Sequence, residues 1–445
     1  MERPTAEPAK TEEPTVAPKA RKKKRKSRKP KSKRGKNKPT GFEEYYVDAP
    51  ITVEEYKLEK SLYHISRPII HRIEDALLRF YRNRRIESDR LDVFTKYLAY
   101  GGIDVSPKMF AGTDDHSLKE LDNDAILLAR GQTAIHRDRA NLPIDFNTVV
   151  KGFLTSFFPF YFNPYDEDMI KLATVTIRSF LSYLLYHDVC PEYNDNINEA
   201  RKSCDIATKE LWKNQQLTAS GPGNFNTACS ILFGGFEHDL YVENNQWKNP
   251  KDDRVQLTKA MAQKILRFGL TVAGSDELAS SFHQKFSTGT LTVSKLEDIH
   301  GFEVTEVRFL DDEGRRFYQD KGPDLIPIGI LLGRAYYDPS EPEYDLSPEE
   351  REEWMKKGRQ LPELMFLLEE NLLEHCYPGM KIITTIWEMN CGLHYFEDIT
   401  RAYSSIYTPL CNDLMLGWKR PRDLTANNED KETAAEDGSA QSEVE

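Results

Sequence analysis

The chain has 445 residues, of which 39% are hydrophobic and 11% aromatic, so it can build one large hydrophobic core or two smaller ones. The net charge is −11, but residues 21–38 hold thirteen Lys and Arg and no acidic residue, which leaves −11 − 13 = −24 for the rest. This distribution argues against a globular nucleic-acid-binding domain, which would carry its basic surface on the fold itself. No apolar run reaches the about 18 residues of a membrane span, and the polar N-terminus is unlike a secretory signal.

Both ends of the chain have low sequence complexity. Residues 1–40 combine Pro, Ala, Thr, Glu and Lys with the basic run, and residues 425–445 are acidic and poor in apolar side chains. Neither segment can bury enough apolar surface to offset the entropy of ordering, so we predict a disordered basic arm and a disordered acidic tail. The folded body is predicted to span residues 41–424, as one unit or two subdomains.

Helical periodicity dominates the first two thirds of this body. Thr52 is a suitable N-cap for the first helix, and the apolar residues after Pro68 recur at helical spacing, at Ile69, Ile73, Leu77 and Phe80. The segment 166–187 is the most apolar and the best core candidate. The predicted helices cover residues 53–62, a long helix that opens at 66–68, and residues 88–100, 166–187, 193–215, 253–269 and 275–286.

Strand signals are fewer and lie in the last third. Residues 302–310 are rich in Val and Phe, residues 325–333 form a short apolar run, and residues 381–387 are β-branched, so each is predicted to be a strand. Ser347, followed by Pro and two Glu, is typical of a helix N-terminus, and we predict a helix from there to His375 with a break near Pro362. The predicted fold class is α+β, a helix-dominated body with a small β-sheet.

Catalytic patterns are scarce in the sequence. It contains no phosphate-binding G-x-x-x-x-G-K-[ST] loop, no G-x-G-x-x-G and no G-x-S-x-G elbow. The doublets His187-Asp188 and His238-Asp239 could supply a metal-dependent phosphohydrolase, in which an imidazole and a carboxylate share a metal. We favour a helix end for the first doublet and a loop for the second. The sequence therefore predicts a protein that is not an enzyme and has no cofactor or metal, with a phosphohydrolase as the less favoured alternative.

The six cysteines have neither the spacing of a zinc knuckle nor that of a thiol redox motif. We expect a reducing compartment and mostly buried thiols, which pack as small hydrophobic residues. They are Cys190, Cys204, Cys229, Cys376, Cys391 and Cys411.

Two glycine pairs, Gly101-Gly102 and Gly234-Gly235, each follow an apolar segment. The favoured interpretation is a helix stop that needs a positive φ, which glycine adopts without steric cost. The alternative is a stretch of backbone that is kept open for a partner.

The basic arm is the clearest functional signal. Dense Lys and Arg attract phosphate but do not read bases, and no aromatic residue interrupts the run to provide a stacking platform. A nuclear-import signal, a nucleic-acid tether and a solubilising tail all remain open. The candidate residues are Arg21, Lys22, Lys23, Lys24, Arg25, Lys26, Arg28, Lys29, Lys31, Lys33, Arg34, Lys36 and Lys38.

Four sequence blocks carry a resemblance to a known family. Residues 31–46 (KSKRGKNKPTGFEEYY) run from the arm into G-F-E-E-Y and then D-A-P-I-T at 48–52, and residues 96–110 contain KYLAYGGID followed by PKMF. Residues 232–239 (LFGGFEHD) and 412–419 (NDLMLGWK) add a mid-chain and a closing block. Together these blocks, over roughly residues 30–420, resemble the fungal Argonaute-binding protein family. The resemblance implies a subunit of the Argonaute siRNA chaperone (ARC) complex.

The resemblance implies a function in RNA silencing. It implies a non-catalytic partner of Argonaute and of a second Argonaute-binding subunit, which holds Argonaute loaded with duplex siRNA and restrains slicing and passenger-strand release. It further implies a role in heterochromatin assembly and histone methylation, and a location in both nucleus and cytoplasm. The family offers no catalytic residues to carry over. The alternative within silencing is a factor that binds RNA directly through the basic arm.

Overall fold

The computed structural model describes residues 40–43, 52–103, 144–238, 257–297, 299–338, 349, 352 and 361–409. Helices come first and a sheet follows, so the predicted α+β, helix-dominated class is confirmed. The predicted arm, except Thr40, and the whole predicted acidic tail lie outside the described residues. None of the helices in the described part is long and apolar enough to cross a membrane.

The helical part is built from helices α1 to α7. Their bounds are α1 Val53–Leu62, α2 Ile69–Asn83, α3 Ser88–Tyr100, α4 Phe146–Gly152, α5 Phe158–Phe162, α6 Glu167–Tyr186 and α7 Asn194–Ser220. A π-helical turn, Phe153–Phe157, joins α4 to α5, and a 3₁₀ turn, Pro191–Tyr193, precedes α7. Helices α1 and α3 have the predicted bounds, and α6 differs from its prediction by one residue at each end. Helix α2 begins directly after its predicted opening at 66–68, and α7 runs five residues past its predicted end.

Local sequence signals account for the helix starts. The Thr52 side chain accepts a hydrogen bond from the Glu55 amide while Glu55 bonds back to Thr52, which is a capping box. Asp166 caps α6 through the Met169 amide at 2.8 Å. Because these caps satisfy amides that have no partner inside the helix, the boundaries are legible in the sequence.

Aromatic rings fill the core of the helical part. Phe80 of α2 is fully buried, and its centroid lies 5.5 Å from Phe94 of α3 and 5.4 Å from both Phe180 and Tyr183 of α6. Tilted and edge-to-face contacts of this kind add to the burial energy of the rings. The apolar stripe predicted for α2 is therefore its buried face.

The second part places helices on an eight-stranded sheet. The helices are α8 Asn224–Phe233, α9 Lys259–Val272, α10 Asp276–Ser287, α11 Asp312–Lys321 and α12 Glu370–Leu373. The strands are β1 Val293–Lys295, β2 Gly301–Arg308, β3 Ile328–Tyr336, β4 Glu363–Glu369, β5 Lys381–Ile383, β6 Ile386–Met389, β7 His394–Phe396 and β8 Arg401–Tyr403. Their order is β1-β6-β7-β4-β3-β2-β5-β8, antiparallel throughout except for the pair β4 and β7.

Helix α7 connects the two parts. Its residues from Ile197 to Leu211 belong to the helical core, whereas Leu217 packs in the core under the sheet. The Glu210 carboxylate accepts hydrogen bonds from the Ser404 hydroxyl at 2.6 Å and the Ser405 amide at 2.9 Å, just after β8. One long helix thus fixes the sheet against the helical part.

One predicted helix is wrong where it can be compared. Residues 363–369, expected to be helical within 347–375, form strand β4, and only Glu370–Leu373 are helical there; most of the stretch before residue 361 lies outside the described residues. Seven residues of β4 pair with β3, and Leu364, Phe366 and Leu368 alternate into the core beneath the sheet. Pairing with a neighbouring strand overrides the helix propensity of this Leu- and Glu-rich segment.

The other strand predictions are confirmed with adjusted bounds. The segments predicted at 302–310 and 325–333 are β2 and β3, and the segment predicted at 381–387 is two strands, β5 and β6, with Thr384 and Thr385 between them. Four of the five described cysteines are buried, as predicted, and Cys391 is half-buried. Cys411 lies outside the described residues.

Candidate protein-interaction surface

The predicted basic arm is joined to the fold at a tight turn. All thirteen of its candidate residues lie outside the described residues, but Thr40–Glu43 packs against α2 and α3. The Phe42 ring is buried, 6.0 Å from Phe80 in an edge contact, and the Arg90 guanidinium lies 4.2 Å above it. The Gly-Phe-Glu motif therefore anchors the root of the arm.

The turn itself explains the glycine and the glutamate of this motif. Gly41 has φ +89°, and a Cβ there would lie 2.2 Å from the Arg84 side chain, so the position needs glycine. The Glu43 carboxylate accepts hydrogen bonds from the amides of Thr40 and Gly41. The Thr40 amide holds the pKa of Glu43 low, at about 2, against the opposing effect of burial, and the Thr40 hydroxyl and the Gly41 amide lower it further.

The first His-Asp doublet lies at the end of α6 and has a structural partner. The His187 Nδ1 lies 3.0 Å from the Glu59 carboxylate, which also accepts from Arg79 at 2.7 Å. Asp188 turns the chain with φ +50°. This arrangement matches the helix-end interpretation.

The second His-Asp doublet is described only in part, because His238 ends a described segment and Asp239 lies outside it. The described residues contain no group of three His, Cys, Asp or Glu side chains that could hold a metal ion.

The two most exposed aromatic side chains of the described residues lie close together in sequence, Phe160 in α5 and Tyr165 just before α6. Phe160 and Tyr165 are each 83% exposed and Tyr161 is 50% exposed, whereas Phe153 and Phe158 of the same segment are fully buried. We call Phe160, Tyr161 and Tyr165 the aromatic surface. Such an exposed apolar group requires an explanation, because large aromatics dominate binding energy at protein interfaces.

The segment that carries the aromatic surface is held firmly. Tyr161 stacks on Phe157 with centroids 5.1 Å apart and rings inclined by 14°, and the Lys96 ammonium lies 4.7 Å from the Tyr161 centroid. The left-handed Asn163, φ +42°, ends α5, and Pro164 is buried behind it. The π-helical turn before α5 is a feature that recurs at functional sites. The rings are thus presented by a preorganised backbone.

Comparison with known proteins identifies the family. A family model described as Argonaute siRNA chaperone (ARC) complex subunit Arb1 matches residues 30–421, nearly the region over which the sequence blocks resemble it. The chain belongs to this family. A curated relative, Argonaute-binding protein 1 from Schizosaccharomyces pombe, is 30% identical over 232 residues, which are 50% of this chain and 55% of the relative, so the match spans about half of that protein's length. No solved structure shows a significant match.

Two further blocks that carry the family resemblance can be placed in the fold. Gly102 has φ +88° after α3, and Gly234 and Gly235 have φ +134° and +128° after α8, so both pairs contain the predicted positive φ. A Cβ on Gly235 would lie 2.6 Å from the Glu397 carboxylate, which accepts from the Phe236 amide. The glycine pair of the mid-chain block is therefore a turn fastened beside the sheet. Residues 236–238 after it are helical, so the loop predicted for His238 is wrong, and Asp239 lies outside the described residues. The closing block, 412–419, lies outside the described residues.

Charge around the aromatic surface distinguishes among possible partners. Three carboxylates follow Tyr165 directly: Asp166 caps α6, Glu167 pairs with Lys171 at 3.0 Å, and Asp168 is exposed. Single-stranded nucleic acid is bound where stacking rings line a positively charged groove. Lys96 is a cation at Tyr161, but three carboxylates follow Tyr165, so the charge around these rings is not that of a positively charged groove and suits a protein partner better than RNA.

A dense aromatic run in the sequence marks this surface, but composition alone does not show which rings are exposed. Residues 157–165 contain six Phe or Tyr among nine residues, a density seen nowhere else in the chain. Aromatic residues are usually buried, and only the packing of α4, α5 and the π-helical turn decides which of these rings face outward.

Proposed function

We propose that this protein is a non-catalytic Argonaute-binding subunit of an siRNA chaperone complex. Membership of the ARC subunit family is the observation that carries the proposal, and the 30% identity to a protein named Argonaute-binding protein 1 supports it. The aromatic surface supplies a preorganised apolar contact of the kind that anchors protein complexes. The acidic charge of the chain outside its arm suits a partner that carries basic surface to bind RNA.

In the fuller form of the proposal, the protein acts by occupying a surface of Argonaute. It holds Argonaute loaded with duplex siRNA, together with a second Argonaute-binding subunit, and restrains slicing and release of the passenger strand. It thereby supports siRNA-directed heterochromatin assembly and histone methylation, and works in both nucleus and cytoplasm. A chaperone of this type needs a contact surface and no reactive group.

Binding of RNA by the basic arm is the second candidate function. The arm carries thirteen positive charges over residues 21–38, which attract phosphate without reading sequence. Its root is fixed beside α2 and α3 through Phe42, so RNA bound there is held next to the folded body. The two functions are compatible, because the arm and the aromatic surface belong to different segments.

The aromatic surface gives a direct test of Argonaute binding. Tagged full-length protein is purified from its own cells, and co-purified Argonaute and small RNA are quantified for the wild type and for the double variant Phe160→Ala/Tyr165→Ala. We expect Argonaute recovery to fall at least about tenfold, because each ring supplies the energy of an interface hot spot. Both side chains are exposed, so the melting temperature should be unchanged.

A matched control separates this contact from non-specific binding by exposed aromatic side chains. The variant Tyr56→Ala/Phe309→Ala removes two other aromatics, 57% and 48% exposed, from α1 and from the loop after β2. Argonaute recovery should match the wild type. If wild-type protein recovers no Argonaute, the proposed function is wrong; if Phe160→Ala/Tyr165→Ala recovers as much as the control, the contact lies elsewhere on the protein.

A further inference from the structure

A second feature with the form of a binding site lies on the other part of the molecule. A pocket of about 390 Å³ opens between the start of α8, the first turns of α9 and the loop that leads into β3. Ile265, Ile328 and Glu369 are buried and form its floor, while Met261 and Ile326 are partly exposed at its rim. Its volume falls in the range of about 300–1,000 Å³ that is typical of ligand sites, and its walls are mainly apolar.

The floor of the pocket contains a carboxylate with unused hydrogen-bonding capacity. Glu369 is 2% exposed, and its Oε1 accepts a hydrogen bond from the Phe225 amide at 2.7 Å. Its Oε2 is buried and has no hydrogen-bond partner among the described residues. A carboxylate oxygen without a donor in a buried site is costly, so such groups normally have a partner.

The fold is shaped to hold this carboxylate in place. Gly223 has φ +89°, and a Cβ there would lie 2.2 Å from Glu369 Oε2, so only glycine allows the approach. The carboxylate sits at the N-terminus of α8, whose amides and dipole favour a negative charge. Burial nevertheless raises the pKa of Glu369 to about 6, so a nearby positive charge would stabilise the ionised form.

The pocket lining selects for a long cationic side chain. The ionisable groups that line it are acidic, Glu369 at the floor and Asp324 at the rim, and Asp324 pairs with Lys264 outside the pocket at 2.6 Å. Lysine and arginine combine an aliphatic stem with a charged head that donates hydrogen bonds. Such a side chain lays its stem along Met261 and Ile265 and directs its head to the carboxylate.

We propose that this pocket receives a lysine or arginine side chain of the Argonaute partner, with Glu369 as the residue that pairs with it. The proposal rests on the proposed function and adds a second contact to the aromatic surface. Argonaute is the occupant we favour, because a protein that binds RNA displays basic side chains. Two separate contacts on one molecule also explain how a partner can be held in one orientation.

The test compares pocket variants with a control on the same strand. Binding of purified Argonaute to full-length protein is measured for the wild type, Glu369→Gln, Ile326→Lys and Glu363→Gln. Glu369→Gln removes the charge from the floor, Ile326→Lys places a positive charge at the exposed rim that repels an incoming cation, and Glu363→Gln alters an exposed carboxylate at the far end of β4. We expect the first two to weaken binding by about tenfold or more and the control to have no effect.

A second experiment, with a small molecule in place of Argonaute, tests this inference separately from the proposed function. The melting temperature of the full-length protein is recorded against increasing N-acetyl-arginine amide, without Argonaute. A saturable rise in the wild type that is absent in Glu369→Gln supports the pocket even if the wild type binds no Argonaute, in which case only the proposed function fails. Unchanged Argonaute affinity in both pocket variants overturns the inference. No rise in the wild type, in a protein that also binds no Argonaute, overturns it as well.

Discussion

At the scale of single residues, a few buried or half-buried carboxylates fasten the elements of this protein to one another. Glu59 joins α1 to Arg79 of α2 and to His187 at the end of α6, and Glu210 joins α7 to the chain after β8. Glu369 joins the end of β4 to the first turn of α8. Each bridges segments far apart in the chain, and a buried carboxylate is stable only where such donors meet it.

Replacing Glu369 by glutamine should change how stability depends on pH. The folded-state pKa of about 6 exceeds the ordinary 4.5, so the folded protein holds this proton more tightly than the unfolded chain. The contribution of the group to stability is therefore fully present below about pH 4.5 and is lost as the pH rises through 6. Glutamine keeps an acceptor for the Phe225 amide and does not titrate.

The measurement is the difference in melting temperature between Glu369→Gln and wild type over about pH 5 to 7. The variant should gain on the wild type as the pH rises, because it carries no buried charge. Glu363→Gln, exposed at the start of the same strand, should give a flat difference. A flat difference for Glu369→Gln would show that the carboxylate is not destabilised by burial.

At the scale of elements, local signals determined the helices, and pairing partners determined the strands. The helix starts at Thr52 and Asp166 were legible because a cap acts within three residues of itself. The strand at 363–369 could not be predicted in this way, because Glu, Leu and Met favour a helix in isolation and form a strand only when they pair with β3. Likewise β1, β7 and β8 have three residues each, too few to show a period, whereas β5 was predicted from its β-branched residues.

Amide hydrogen exchange should distinguish the strands at the centre of the sheet from those at its edges. β4 lies between β3 and β7, and its Phe366 and Leu367 are fully buried, so peptides covering 364–368 should exchange only on global unfolding. β1 and β8 are edge strands of three residues and should exchange orders of magnitude faster, through local opening. Fast exchange of 364–368 would contradict the central position of β4 in the sheet.

At the scale of the whole molecule, the described residues begin at the Gly-Phe-Glu turn, and the basic arm that precedes it in sequence carries thirteen positive charges. Deleting residues 1–39 should leave the melting temperature unchanged and should remove salt-dependent RNA binding, since it takes away all thirteen candidate cations. Deleting residues 1–43 should in addition destabilise the protein by about 3 kcal/mol, the typical cost of losing a buried Phe. Phe42 provides that burial.

The two deletions control for one another. Denaturant unfolding measures stability, and RNA affinity at two salt concentrations measures the role of the arm. Equal stability of the two deletions would show that the Gly-Phe-Glu turn is not an anchor. RNA binding that persists in both would assign RNA contact to the folded body rather than to the arm.

The sequence by itself determined the fold class, the main helices, the separation of charge between arm and body, and the family. These properties depend on composition, on caps and periods within a few turns of helix, and on contiguous motifs. Tertiary structure alone decided that residues 363–369 are a strand and that Glu369 meets α8 at the floor of a pocket. It also decided that Phe160 and Tyr165 face outward while Phe153 and Phe158 face inward. Each of these requires contacts between residues distant in the chain, and such contacts leave no local pattern from which they could be predicted.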